Sequence, residues 1–449
     1  MTYNYKMDFA QALRILAPPT TSQTICLVGA GGKTTALFNL ARKYSIHSAV
    51  IVTATSHLGV WQIPLADHHI IATTLDDLQN LPKNGVVLVT GEVENERTKP
   101  VDTAIISWLH EKSQSEGIYL LIEADGSRQK SLKAPATHEP PIPKFADVVI
   151  VSVGLSTIGT PLTDEYIHRA EIFSQISGLQ INEMITTKEI CSMLTHPQGG
   201  LKNIPKNARR IALLNQADTP ELQSIGGSMA HELLSQFDSV IVGSLQQNSF
   251  RTIEHTAGII LAAGQSSRYG LPKQLLDWKG KPFVRHIAET ALHSGLWPVV
   301  VVTGFHSADV ESCLKDLPVQ IVFNPEYEQG QSTSIKAGIA SLPLKAGSAI
   351  FLLADQPQIP GEVIRALMET HAKELRPIVA PLVLEERRAN PVLFDRVTFP
   401  DLLQLTGDIG GRAIFSNYKV EYIPWHDDIL LLDVDKPEDY QRLVNIEKL

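Results

Sequence analysis

Short apolar runs separated by longer amphipathic stretches set the rhythm of this chain. In the first half the runs are TICLVGA, SAVIVTAT, GVVLVTG, IYLLIEADG, DVVIVSVG and RIALLNQAD; in the second they are AGIILAAG, PVVVVTG, VQIVFNP, AIFLLADQP and PIVAPLV. Apolar runs without polar alternation fit strands covered on both faces, and the stretches between them have room for helices. The predicted fold class is α/β with largely parallel sheets, the strand–helix rhythm running twice. Between the two series lies GSLQQNSFRTIEHTAG, polar and broken by Gly-Ser, which we read as the crossing point at about residues 245–256. The expected domains are 1–250 and 251–449.

Length agrees with that division, because 449 residues exceed what one core of up to about 300 residues usually serves. The net charge is -9, and neither side of residue 255 has a basic excess: 20 basic against 24 acidic residues precede it and 19 against 24 follow. Duplex nucleic acid and anionic membrane surfaces are therefore not the expected partners. Cys26, Cys191 and Cys313 are scattered, with no CxxC pair and no zinc-ligand spacing. With no signal-like N-terminus and no long apolar span, the expected location is the cytoplasm.

The sharpest chemistry follows the first apolar run of the second half, in LAAGQSSRYGLPKQLL. A buried strand opens into a loop whose small residues, Ala262, Ala263 and Gly264 after Leu261, let backbone N–H groups approach an anion. Arg268 and Lys273 bring two cations to the same loop, as a triphosphate requires, with Gly270 and Pro272 shaping the turn. A bound triphosphate also calls for neutralisation at several phosphate oxygens at once, which makes a divalent cation the expected helper. Asp355 ends the strand AIFLLA, where α/β sheets place ligands, and can hold Mg²⁺; an Asp there also serves commonly as a turn or cap residue. Asp433 and Asp435 stand two apart in LLDVDKPED; KPED equally reads as a helix start capped by Asp435.

The spacing of that loop resembles the MobA/MocA-like nucleotidyltransferases, with consensus LAAGxSxRMGxxKxLL, Tyr269 standing in place of Met. The resemblance continues in order through VVVTGF, NPEYEQGQSTSIKAGI, LLADQP, NPVLF, LTGDIGGR and LLDVDKPEDY, over about residues 256–449. It implies a Rossmann-like (GT-A type) nucleotidyltransferase domain. Arg268, Lys273 and Asp355 would be catalytic, and Asp355 and Asp433 would hold the metal. Leu261, Ala262, Ala263, Gly264, Thr303, Gly304, Asn324 and Ser332 would bind nucleotide, with Gly330 and Ser334 in the same polar stretch. Within the family, LAAG rather than LAGG goes with CTP and a molybdopterin acceptor. Asn390 and Pro391 replace a Gly-His-Pro of many relatives, so that His has no counterpart; Gly407, Asp408 and Arg412 are candidates for the acceptor's phosphate.

In the first half, GAGGKTT lies between a strand and a helix: Gly29, Gly31, Gly32, Lys33, Thr34 and Thr35. Lys33 can reach phosphate oxygens, Thr34 can meet Mg²⁺, and the helix N-terminus adds N–H donors. Leu27 stands where the full G-x-x-x-x-G-K-[ST] pattern has its first Gly, leaving a compact form also seen in Mur ligases. Thr53, Thr55 and His57 follow the next strand, Glu123 and Asp125 end another, and Asn215 and Asp218 partly match a GTPase base-reading strand, with Gln216 in place of Lys. The predicted domain is P-loop-like and takes ATP or GTP. The order GAGGKTT, TATSHL, EADGSRQKSLKAPATHEP, VGLSTIGTPLTDEYIHRAEIF and LLNQAD resembles the YqeC family, accessory proteins of selenium-dependent molybdenum hydroxylases, over about residues 8–245. His138, Glu139, His168 and Arg169 belong to those signatures, and no chemistry for them follows from the sequence.

Together these readings imply a maturation enzyme that moves CMP from CTP to the molybdenum cofactor, with a molybdenum hydroxylase as client. The alternatives are a sugar-phosphate or other nucleotidyltransferase, and a cofactor chaperone whose nucleotide sites only gate.

Overall fold

The computed structural model of the chain describes residues 7–15, 22–264 and 272–445. They divide into two compact units, one ending at Ile253 and the other beginning at Glu254. Among the described residues, no helix is long and apolar enough to cross a membrane.

The first unit is built on β1 (Thr24–Gly29), β2 (Val50–Ala54), β3 (His68–Ile71), β4 (Val86–Thr90), β5 (Leu120–Glu123), β6 (Val148–Gly154), β7 (Arg209–Asn215), β8 (Ser239–Ser244) and β9 (Ser249–Ile253). They form one nine-stranded sheet in the order β9-β8-β7-β6-β1-β5-β2-β4-β3. Every pairing is parallel except that of β9 with β8. The parallel strands therefore end on one edge of the sheet, which gathers Gly29, Glu123, Gly154 and Asn215. Helix α1 (Lys33–Tyr44) packs behind β1 because Ala36, Leu37, Leu40, Ala41 and Tyr44 fall on one helical stripe, all buried. Helix α2 (Thr103–Glu116) starts where the Asp102 carboxylate accepts the Ala104 N–H and stops at Gly117, whose φ of 66° a glycine adopts without strain.

The second unit is built on β10 (His255–Ala262), β11 (Val299–Thr303), β12 (Gln320–Phe323), β13 (Ala346–Leu353), β14 (Ile378–Val383), β15 (Arg387–Arg388), β16 (Val392–Asp395) and β17 (Val420–Trp425). Its eight-stranded sheet runs β12-β11-β10-β13-β16-β14-β15, with β17 also paired to β14. Strands β12, β11, β10 and β13 are parallel, whereas β16 runs against both its neighbours. Helices α3 (Phe283–His293), α4 (Gln331–Ala340), α5 (Gly361–Glu374) and α6 (Pro437–Asn445) belong to this unit. The amphipathic face of α3 buries Val284, Ile287, Ala288 and Ala291 against the sheet core.

Two parts of the architecture differ from the sequence reading. The stretch read as a polar crossing contains β9, an edge strand that buries Phe250 and Thr252 and leaves Ser249, Arg251 and Ile253 partly exposed. That period-two pattern belongs to a strand covered on one face, and its polar half hid it. The sheet of the second unit is mixed rather than parallel, because β16 inserts antiparallel beside β13.

Candidate functional sites

In the second unit, β10 and β13 end side by side and open a cleft of about 480 Å³, within the size range of small-molecule sites. Leu261, Ala262, Ala263 and Gly264 form one wall. Among the described residues, a Cβ on Gly264 would meet nothing within 4 Å. The loop then passes through residues 265–271; Arg268, Tyr269 and Gly270 lie outside the described residues. Lys273 follows, its ammonium 2.5 Å from Asp435 and 3.6 Å from Asp355. Burial raises the Asp355 pKa and its neighbours Asp433 and Asp435 add to the rise, while Lys273 opposes it.

The structure places the two acidic residues of LLDVDKPED differently from the sequence reading. Asp433 accepts a hydrogen bond from the Gln356 amide and does not line the cleft, whereas Asp435 lines it beside Asp355. The capping role expected of Asp435 goes to Asp439, whose carboxylate accepts the N–H groups of Asp435 and Lys436 at 3.2 and 3.0 Å.

Thr303, Gly304, Asn324 and Ser332, expected to bind nucleotide, do not line this cleft. Thr303 is buried with its hydroxyl 2.8 Å from that of Ser307. Gly304 lets Tyr327 and Ala263 close over it, since a Cβ there would lie 2.7 Å from one and 2.9 Å from the other. Asn324 donates to Thr333 and Ser334 and accepts from the Glu326 N–H, so its amide organises the turn into α4. Ser332 is buried and its hydroxyl has no partner among the described residues. The N-terminus of α4 is met by the LTGDIGGR loop: Asp408 accepts the Gln331 N–H at 3.2 Å and the Gly407 carbonyl accepts the Ser332 N–H at 3.3 Å. Gly330 and Ser334 line the cleft with Asp408, while Arg412 lies away from it, 3.3 Å from Asn390 Oδ1.

In the first unit, Gly29, Gly31 and Gly32 have φ of 94°, 73° and 113°, left-handed backbone that bends the chain from β1 into α1. A Cβ on Gly31 would lie 2.3 Å from the Gly154 nitrogen, so glycine is required where the loop crosses the end of β6. Lys33 Nζ donates to the Gly29 carbonyl at 2.7 Å and lies 3.4 Å from Asp125. Thr34 donates to Glu123 at 2.8 Å and accepts from Gln62 at 3.2 Å. Glu123 is buried at the end of β5, and burial raises its pKa. A hydroxyl and a carboxylate in contact at a helix N-terminus, beside an ammonium, can together take phosphate and a hard cation.

Lys33, Thr34, Thr35, Ser56, His57 and Glu123 line a cleft of about 660 Å³ at this edge. Asp125 faces inward, accepting the Gly29 N–H and an ion pair from Lys133 at 2.7 Å. Asn215 donates to the Gly31 carbonyl and accepts the Leu245 N–H, so the amide expected to read a base fastens the loop instead. Asp218 is exposed and does not line the cleft. Sequence reasoning missed Lys133: it is 5% exposed and joins Asp125 to Glu139, and nothing in KSLKAP marks it out from a surface lysine. Glu139 in turn grips Arg169 through both oxygens, at 2.7 and 2.9 Å.

Comparison with known proteins divides the chain in the same order. The YqeC protein family model matches residues 25–171 and the MobA-like NTP transferase domain model matches residues 258–422. YqeC of Escherichia coli K12, a protein described as uncharacterized, is 30% identical over 242 residues, covering 50% of this chain and 88% of its own. Nicotine blue oxidoreductase of Paenarthrobacter nicotinovorans is 30% identical over 197 residues, 42% of this chain and 95% of that one. A probable molybdenum cofactor guanylyltransferase of Bacillus cereus AH187 is 33% identical over 138 residues, 30% of this chain and 66% of the relative. With the matched segments falling on the two units and each carrying its own strand-end cleft, the chain belongs to the YqeC family in its first half and to the MobA-like NTP transferase family in its second, and it is a nucleotidyltransferase.

Proposed function

We propose that the second unit transfers CMP from CTP to the molybdopterin-bound molybdenum cofactor, forming molybdopterin cytosine dinucleotide and releasing pyrophosphate. The observation that carries this reading is the placement of Lys273 between Asp355 and Asp435 in a cleft walled by Leu261–Gly264. The acceptor phosphate attacks the α-phosphorus of CTP and the bond to the β-phosphate oxygen breaks. The open backbone at Gly264 receives the triphosphate, and Lys273, joined by Arg268, neutralises it.

The carboxylates fit Mg²⁺. Among the described residues no set of three or more His, Cys, Asp and Glu converges as a metal cage. A pair of carboxylates completed by phosphate oxygens and water is how Mg²⁺ is usually held, and Asp355 with Asp435 offers such a pair. Burial first, and then the charges of Asp433 and Asp435, raise the Asp355 pKa against the pull of Lys273, and a bound cation would favour its ionised form. Bound there, the ion would neutralise the oxygens of the transferring phosphate. CTP is favoured by LAAG in place of LAGG, and the molybdenum cofactor by the guanylyltransferase relative.

The first unit we read as a P-loop-like ATP or GTP site, with Lys33 on the phosphates and Thr34 and Glu123 toward a divalent cation, serving delivery of the product to a molybdenum hydroxylase. The contact of Thr34 with Glu123 supports it.

The test is a turnover screen of the whole chain with labelled CTP or GTP, offered molybdopterin or hexose phosphates. Pyrophosphate release with CTP and molybdopterin is expected; turnover only with a hexose phosphate would sink the assignment.

A further inference from the structure

The cleft of the first unit has a second wall that the nucleotide reading does not use. Gly126–Lys130 passes beside the glycine loop, the Lys130 carbonyl accepting the Gly31 N–H at 3.1 Å. The chain then enters a two-stranded parallel ribbon in which Leu132 pairs with Ile167 and Lys133 with His168. This ribbon joins two sequence signatures whose chemistry was not legible and sets His168 and Arg169 on the cleft. Arg97 enters the same cleft from a short hairpin.

The charge on this wall is unbalanced. Arg97, Arg128, Lys130 and Arg169 face Glu96 and Glu139, and Glu139 is already held by Arg169 and Lys133. Such a surplus is conspicuous in a chain of net charge -9. Arg97 and Arg128 are exposed, and their side chains have no hydrogen bond or ion pair among the described residues, so their guanidinium forks are available. Arg128 and Gln129 hold consecutive left-handed conformations, φ 49° and 62°, and Arg169 a third at 68°. Each costs a non-glycine residue about 1 kcal/mol, a strain that functional sites often store. His168 senses the same field: burial, then the charges of Arg169, Lys133 and Arg128, push its pKa down to about 4 against a weaker pull from Glu139. Forked guanidinium groups around a neutral imidazole suit an oxyanion better than any cation or apolar group.

We propose that this wall is a second ligand subsite, taking a small oxyanion-bearing molecule, phosphate or carboxylate, on Arg97, Arg128 and Arg169 while a nucleotide occupies the glycine loop. The first unit is then a two-ligand site rather than a nucleotide switch. The inference rests on the nucleotide reading only for what fills the loop.

The experiment is calorimetric titration of the full chain, saturated with a non-hydrolysable ATP or GTP analogue, with inorganic phosphate in one arm and malonate in the other. One saturable anion site is expected, and the arm that binds tighter identifies the anion class. The double variant Arg97→Ala, Arg128→Ala should weaken it about tenfold or more while analogue affinity moves less than about twofold. Both residues are exposed, so the variant retains its fold. Lys33→Ala should lose the analogue and keep the anion. Absence of an anion site, a site indifferent to the double variant, or equal loss of analogue binding in that variant would each overturn the proposal. Failure of the wild type to bind either analogue would instead remove the nucleotide reading, and the same anion titration of the unloaded protein would still decide the second subsite.

Discussion

Lys273 and Asp435 lie 162 positions apart in the chain and 2.5 Å apart in space. The contact ties the segment after the Leu261–Gly264 wall to the segment leading into α6, and Asp435, not Asp433, lines the cleft with Asp355. Asp435→Asn removes both the ion-pair partner of Lys273 and one carboxylate of the proposed cation site, so kcat/KM for nucleotidyl transfer should fall about tenfold to a hundredfold. Asp433→Asn, whose side chain meets Gln356 instead, should fall less than about threefold. Steady-state pyrophosphate release on both variants checks the ranking.

Asp355→Ala separates chemistry from folding. Burial and two nearby carboxylates already disfavour its ionised form, so removing it relieves repulsion and should leave the melting temperature unchanged or slightly higher. Transfer should drop by about a hundredfold or more if, as proposed, Asp355 is a ligand of the cation. Chelation of the wild type should produce the same loss, reversed by Mg²⁺; activity that survives chelation would remove the metal from the reading.

Much of this was legible in sequence, for a definite reason. Every apolar run singled out became a strand, most of them covered on both faces and so apolar along their length; β12, a partly exposed edge strand, is the exception. The edge strand β9 and the inserted β16 were not legible, since pairing partner and direction are set by contacts distant in sequence. The same limit governs the sites. Residues close in sequence, such as Ala263, Gly264 and Lys273, were grouped by spacing, and all three line the cleft. Whether Asp433 or Asp435 turns toward the cleft depends on Gln356 and Asp439, and whether Asn215 reads a base or holds Gly31 depends on where β6 and β7 bring the loop.

In the first unit, Lys33→Ala removes the ammonium that lies against the Gly29 carbonyl and Asp125. ATP or GTP affinity should weaken about a hundredfold, as expected for loss of a charge-assisted phosphate contact. Glu123→Gln keeps the size of the side chain and its bond with Thr34 but withdraws the carboxylate. Binding measured without divalent cation should be nearly unchanged, and the enhancement by Mg²⁺ should disappear.

The buried network around Glu139 predicts an acid response with two steps. His168 has a folded pKa of about 4 against an ordinary 6.5, so between those values the unfolded chain holds a proton that the folded one does not, and stability falls as pH is lowered through that window. For Glu139, burial raises the pKa, but Arg169 and Lys133 outweigh it and hold it at about 2; its contribution is present above the ordinary carboxylate range and is lost as pH falls toward 2. Because His168 is partly exposed, its share after screening is about 1 kcal/mol. His168→Asn should therefore flatten the unfolding midpoint between pH 6.5 and 4 and leave the steeper loss below it.

Gly31 and Gly117 offer a paired measurement of what holds the glycine loop. Both have left-handed φ, 73° and 66°, so alanine at either pays about 1–2 kcal/mol for the backbone alone. At Gly117 nothing lies within 4 Å of the added methyl, and that term is the whole effect. At Gly31 the methyl would lie 2.3 Å from the nitrogen and 2.7 Å from the Cα of Gly154, backbone atoms that cannot rotate away. Overpacking adds about 1–3 kcal/mol there and must push the loop off the end of β6, carrying Lys33 and Thr34 with it. Urea unfolding should rank Gly31→Ala below Gly117→Ala, and only the former should lose nucleotide binding. Equal stabilities would mean that the loop does not rest on Gly154, and the positions of Lys33 and Thr34 would have to be set by something else.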